Sequence, residues 1–323
     1  MGERCGIAVA GSILVDKIKG ISAYPESGQL VQIKSMEKSV GGCVPNVAVD
    51  LKKIDPDMPV YAYGKIGDDE EGKYIINVLS SNGVDTANII CDEKEATSYT
   101  DVMSVIGGQR TFFTYPGTSA SYSINDIDFD KMTAKILHLG YFLLLDKIDN
   151  GDGEKILKKA QEAGVKTSID LVSENSDRYT LVLPCLKYTD YLIINELEAG
   201  KLAGIEPEPE NLRAIAEKLM EMGVREKVII HMKDRGVCLS KDGYTLMPAY
   251  AVDKDYIKGK TGAGDAFCSG ALLGIYMDLS DYEILDLASM AAVSSLSTAD
   301  ATSGIKSRTE LIEMSKSLSR EII

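Results

Sequence analysis

Short runs of β-branched and apolar residues recur along most of this chain, separated by amphipathic stretches of helical period, and this alternation constrains the fold more than any other feature. GIAVAGSIL, VYAYGKI, KILHLGYF, KTSIDL, DYLIINE and EKVIIHM read as strands. PNVAVDLKKI, GKYIINVLSSNG and a segment near 151–164 read as helices between them. Strands so uniformly apolar have to be covered on both faces, which is the condition of a parallel sheet. Gly83, Gly164 and Gly223 stand where helices would end. The expected fold is therefore α/β, with a doubly wound, mainly parallel sheet flanked by helices.

Two stretches break the rhythm. Residues 14–37 and 97–115 look extended and carry no helix between their strands. In the second, TSYTDVMSVI and QRTFFTYPG flank Gly107-Gly108, a pair suited to the positive φ of a tight hairpin. We read them as one small β-sheet lid inserted twice, leaving 1–13, 38–96 and 116–323 as the main α/β domain for nucleotide and substrate. Beyond about residue 263 the pattern is almost wholly helical.

Composition narrows the function. The 323 residues are enough for a substantial core without disulfides. The cysteines, Cys5, Cys43, Cys91, Cys185, Cys238 and Cys268, are scattered singly with no CxxC pair, which fits a reducing, cytoplasmic setting. The N-terminus lacks the longer apolar core of a signal peptide, and no run reaches the length of a membrane span. A net charge of −14, spread along the chain, excludes a phosphate-tracking nucleic-acid surface. The expected partner is a small molecule, with neither nucleic acid nor membrane.

The stretch that carries chemistry is GKTGAGDAFCSGALLGIY, residues 259–276. It is not a P-loop, because Lys254 stands where the first glycine of that motif is needed. It is not a dinucleotide fingerprint either, since Phe267 takes the place of the third glycine. Gly262, Ala263 and Gly264 have little or no side chain, so their N–H groups can point into an open pocket at the start of a helix. That arrangement binds an anion, above all a phosphoryl group in transfer. Asp265, on the first turn, could accept the proton of an attacking hydroxyl. Taken alone, Asp265 reads equally well as a carboxylate capping the helix.

TGAGDAFCSGAL resembles the C-terminal signature of the ribokinase-like (PfkB) family of carbohydrate kinases, and VGGCVPNVAVDLKKI, residues 40–54, is similar to its N-terminal signature. GSILVDKI around Asp16 and NELE at 195–198 also fit. The resemblance implies a ribokinase-like fold and ATP-dependent phosphorylation of a hydroxyl group, with Asp265 as base and Gly262, Ala263 and Gly264 as the anion hole. It implies that Asp16, Gly41, Gly42 and Asn46 hold the acceptor under the lid. Asn195 and Glu198 would organise Mg2+ and the nucleotide phosphates through water, a mode that suits an ion reluctant to shed its hydration.

For the nucleotide, the resemblance points to Thr261 and to HMKDRG, where Lys233 replaces a usual glycine while Gly236 remains. Gly259 replaces an aspartate common six positions before the base, which puts monovalent-cation activation in doubt. Arg110 is a candidate for contact with the acceptor; Asp170 and Arg178 are weaker candidates near the phosphates. Phe113 and Tyr115 share a face of the lid strand and are expected to pack as core or against a second copy of the chain, in preference to stacking on a nucleobase. A sugar acceptor follows, with a nucleoside as the alternative and a non-catalytic sensor a more distant one. A homodimer through the lid edges is expected.

Overall fold

The computed structural model describes residues 4–105, 108–174 and 176–323, so the expected turn at Gly107-Gly108 falls partly outside the described residues. The strands are β1 (Ile7–Gly11), β2 (Leu14–Ile21), β3 (Ile33–Gly41), β4 (Val60–Gly67), β5 (Asp85–Asp92), β6 (Ser98–Val105) and β7 (Arg110–Tyr115). They continue with β8 (Ile136–Phe142), β9 (Lys166–Leu171), β10 (Tyr191–Asn195), β11 (Lys227–His231), β12 (Arg235–Ser240) and β13 (Gly243–Pro248). The helices are α1 (Cys43–Ile54), α2 (Glu70–Ser81), α3 (Gly117–Ser121), α4 (Gly153–Glu162) and α5 (Leu183–Leu186). After these come α6 (Glu196–Ala203), α7 (Leu212–Glu221), α8 (Ala263–Tyr276), α9 (Asp281–Ser295) and α10 (Arg308–Ser315).

Nine strands form one sheet in the order β13-β12-β11-β10-β9-β8-β1-β4-β5, parallel from β11 to β5, with β12 and β13 turned antiparallel at one edge. Side-chain alternation along each strand feeds two cores. Ile7 and Val9 of β1 pack into the layer with α1, α8 and α9, while Ala8 and Ala10 pack into the layer with α4 and α7. Both faces are therefore dry, and the continuous apolar runs in the sequence are explained. Gly83, Gly164 and Gly223 all take positive φ at the helix ends expected of them.

Helix α8 is buried almost to its end, so its small residues are packing residues. A Cβ at Gly270 would lie 2.6 Å from Ala288 Cα of α9, and the bare glycine lets the two helices touch. That close contact holds the N-terminal end of α8 at the carboxyl ends of the central strands.

A separate four-stranded sheet runs in the order β3-β2-β6-β7, with β2 parallel to β6 and both outer pairs antiparallel. The two distant extended stretches thus lie side by side, and β3 continues to Gly41, directly before α1. Here one expectation fails in part. Phe112, Phe113 and Tyr115 are 63%, 56% and 41% exposed, so none belongs to the core of this chain. The reason is topological: β7 is an edge strand, and Tyr115 touches only Tyr99, with ring centroids 5.4 Å apart, among the aromatic pairs of the described residues.

Candidate active site

The site begins with the backbone at Gly262, which holds φ of +77°. A Cβ there would lie 2.5 Å from Ala301 Cβ and 2.6 Å from its Cα, so both conformation and space require glycine. Helix α8 starts immediately after, and no side chain caps it. The Ala263 N–H donates to the Lys260 carbonyl at 3.3 Å, and the next ones are left to a cavity of about 360 Å3 lined by Gly262, Gly264 and Asp265, among others. A Cβ at Gly264 would meet only His231 Cε1, at 3.8 Å, so the space in front of this residue is open.

Asp265 faces that cavity from the first turn of α8 and is 7% exposed. Its Oδ2 accepts from Asn46 Nδ2 at 2.9 Å and from the Tyr141 hydroxyl at 3.0 Å. Burial pushes its carboxyl up to about 7, and the charges of Asp170 and Asp16 push the same way, against the two hydrogen bonds. A carboxylate poised near neutrality, beside an uncapped helix start, is suited to receiving a hydroxyl proton. Asp50, one turn beyond Asn46 on α1, is fully buried with both oxygens unpartnered. Burial, reinforced by the charge of Asp265, raises the Asp50 carboxyl well above the usual carboxylate range.

Across the cavity lies the start of α6. Asn195 Oδ1 accepts from the Glu198 N–H at 2.9 Å, and Glu198 Oε2 accepts from the Asn195 N–H at 3.1 Å, a reciprocal cap. Ser173 Oγ donates to Glu198 Oε1 at 2.7 Å. Burial still pushes Glu198 up to about 8 despite these bonds. Among the described residues no lysine or arginine pairs with Asp170, Glu198 or Asp265; Asp170 accepts from the Tyr141 N–H at 2.5 Å and lies 3.5 Å from His138. A buried acidic wall of this kind is suited to a hydrated divalent cation.

On the other side of Asp265 the glycine pair makes room for a third acid. A Cβ at Gly41 would lie 2.4 Å from Asp16 Oδ2, and Gly42, with φ of +86°, passes against the Ser12 carbonyl. Burial pushes Asp16 up to about 6, and the charge of Arg110 eases it back. Arg110 Nη1 donates to Thr261 Oγ1 at 3.1 Å, so an arginine of the small sheet reaches the loop that opens α8.

The model of the pfkB family of carbohydrate kinases matches residues 7–308. The chain belongs to this family. Its activity is accordingly the ATP-dependent transfer of a phosphoryl group to a carbohydrate. It is similar to the fructokinase-1 of Oryza sativa subsp. japonica, 24% identical over 88% of this chain and 87% of that protein. It is 26% identical over 95% of its length to the bifunctional ribokinase/ribose-5-phosphate isomerase A of Fructilactobacillus sanfranciscensis, of which it spans 56%. Its fold matches the solved structure of Arabidopsis thaliana ribokinase complexed with ribose and ATP, with a TM-score of 0.83 and 21% identity, covering 96% of this chain and 98% of that one.

In this pfkB-family chain Asp265, Gly262, Gly264, Asn195 and Glu198 converge on one cavity, with Asn46 in contact through Asp265. Other residues singled out in the sequence lie elsewhere. Lys233 is exposed in the turn between β11 and β12. Gly236 is buried against Leu285 and Phe267. Arg178 is held by Glu174 at 2.9 Å, with Asp149 at 3.8 Å. At Gly259 a Cβ would strike the Thr298 carbonyl at 2.8 Å, so the position of the family's common aspartate is filled by backbone.

Sequence reasoning passed over Tyr141 and His231. Tyr141 sits at φ of +61°, and this left-handed turn in β8 accompanies the bond from its hydroxyl to Asp265. His231 ends β11, lines the cavity and lies on Phe267 with ring centroids 4.7 Å apart. Burial lowers it to about 4, so it is a neutral wall. The one signal for both was their place at the carboxyl ends of parallel strands.

Proposed function

We propose that this protein transfers the γ-phosphoryl group of ATP to a hydroxyl of a sugar or sugar derivative, with Asp265 as the base. The observation that carries this reading is the carboxyl of Asp265, pushed to about 7 and set beside the uncapped start of α8. In the reaction Asp265 takes the hydroxyl proton, while the N–H groups of Gly262, Ala263 and Gly264 stabilise charge on the group in transfer. Asp16, Gly41, Gly42 and Asn46 bind and orient the acceptor, and Arg110 closes over it from the small sheet. Thr261, Lys233 and Gly236 belong to the nucleotide side in this reading; Thr261 directly precedes Gly262 in the loop that opens α8.

Asn195 and Glu198 hold Mg2+ through its water shell, and the unpaired acidic wall supports that assignment. The ion, when bound, offsets charge on the phosphates. Residues 14–37 and 97–115 act as the lid over the main domain, and the exposed Phe112, Phe113 and Tyr115 form its dimer contact. The protein works in the cytoplasm, and no helix among the described residues is long and apolar enough to cross a membrane.

The test is ATP consumption with magnesium against a panel of sugars, sugar acids and nucleosides, for the wild type and Asp265→Asn. A sugar that supports turnover only in the wild type is the expected result. A nucleoside as the sole acceptor overturns the sugar assignment, and full activity in the variant overturns the base.

A further inference from the structure

A second cluster lies against the wall of the cavity. Cys43 at the start of α1, His138 in β8 and Asp170 in β9 each offer a ligand atom, and these three atoms lie within 4.8 Å of one another. Their residues are 0%, 0% and 7% exposed. Cys268 of α8 stands beside this group, its Sγ 3.6 Å from His138 Nε2, but does not belong to the mutually close set. The Asp170 Oδ2 atom is 3.5 Å from the same nitrogen. A Cβ at Gly140 would lie 1.9 Å from Cys43 Sγ, so a bare backbone is what admits the sulfur.

These spacings have a chemical meaning. In a tetrahedral zinc site with Zn–N of about 2.0–2.1 Å and Zn–S of about 2.3 Å, neighbouring ligand atoms stand roughly 3.3–3.6 Å apart. The separation between His138 Nε2 and Asp170 Oδ2, 3.5 Å, agrees with that range. A sulfur, an imidazole and a carboxylate form a donor set for a borderline-soft ion and a poor one for magnesium. The other imidazole nitrogen, Nδ1, is 3.1 Å from Ser168 Oγ, the kind of outer partner that orients a metal-binding histidine. Asp170 and Cys268 also line the cavity, which gives an ion a path inward.

We propose that Cys43, His138 and Asp170 hold a tetrahedral divalent cation of the zinc type, its fourth position left to the cavity, and that filling the site shuts down the neighbouring base. The Cys43 sulfur forms its bond to the metal as its thiol proton leaves for solvent. Occupation engages Asp170, whose charge helps to hold Asp265 near neutrality. It also draws on Cys43, which directly follows the Gly41-Gly42 turn. The shutdown rests on the base assignment above; the site itself does not.

The test uses cobalt(II) as a spectroscopic probe on the chelator-treated full chain. The expected result is a single equivalent bound, with a thiolate-to-cobalt charge-transfer band and a tetrahedral ligand-field spectrum, both removed by zinc. Cys43→Ala should lose the band and weaken binding at least about tenfold, while Cys5→Ala and Cys91→Ala, at exposed thiols, keep both. Absence of the band in the wild type, or its survival in Cys43→Ala, overturns the site. Zinc that binds there without reducing turnover at saturating Mg·ATP overturns only the shutdown, and inactivity of the zinc-free protein with Mg·ATP across the sugar panel would count against the kinase reading alone.

Discussion

Replacing Asp265 with asparagine removes the proposed base and, in the same step, a buried acid that the fold holds at a cost. The shift from 3.8 to about 7 has a definite sign. Between those values the folded protein keeps a proton that the unfolded chain has lost, so stability falls as pH rises through this window and the cost is complete above about pH 7. Full linkage over three pH units is roughly 4 kcal/mol. Asparagine must also be desolvated, which leaves a gain of about 1–2 kcal/mol at pH 8. For a chain of this size that raises Tm by roughly 1.5–3 °C. At about pH 4, where the carboxyl is neutral folded and about half neutral unfolded, the linkage shrinks to roughly 0.5 kcal/mol while the desolvation of asparagine stays, so the variant should be less stable than the wild type by roughly 2 kcal/mol. The asparagine oxygen still accepts from Asn46 Nδ2 and the Tyr141 hydroxyl, so shape is kept. Turnover should fall about 10²- to 10⁴-fold. Calorimetry at pH 4, 6 and 8, with a coupled ATP assay, reads both effects. A Tm change independent of pH, or a loss of stability at pH 8, would refute the electrostatic account even if turnover fell.

Tyr141→Phe removes a hydrogen bond that favours ionised Asp265, so the acid limb of the kcat/KM profile should move up by about one pH unit; an unmoved limb would separate Tyr141 from the base. Glu198, pushed to about 8, is largely protonated at pH 7 and should release its proton when Mg·ATP binds. Titration calorimetry in buffers of different protonation enthalpy should detect that release, and Glu198→Gln should lose it and need more magnesium. Sedimentation of the wild type should show a dimer, and Phe112→Asp with Phe113→Asp a monomer; a wild type that stays monomeric at high concentration removes the lid contact.

The parallel sheet was legible because burial on both faces leaves strands such as IAVA continuously apolar. The glycine turn that opens α8 was legible because Gly262 answers a local demand, a left-handed φ at the start of a helix. Lys233 and Gly236 were assigned on resemblance alone, with no local demand behind them; the first is exposed and the second buried. Tyr141 escaped because its role depends on a backbone turn inside β8 and on a partner 124 positions away. The exposure of Phe112 and Phe113 depends on which strand ends the small sheet, and side-chain alternation within β7 carries no information about that.

The acids around the cavity share one physical feature. Asp16, Glu198 and Asp265 are all pushed upward chiefly by burial, and none has a lysine or arginine in ion-pair contact among the described residues. A fold selected for stability alone would have neutralised such groups with basic partners or replaced them with apolar residues. Leaving them unpaired gives the site a large response to any cation that enters and any proton that leaves. Arg110 is the exception that sharpens the point. It stands on the small sheet, not in the main core, and it meets Thr261 and the field of Asp16 only where that sheet lies against the start of α8. Positive charge is thus carried by a separate structural element, and in the proposed reading, with that sheet as lid, closing the site and balancing its charge are the same event.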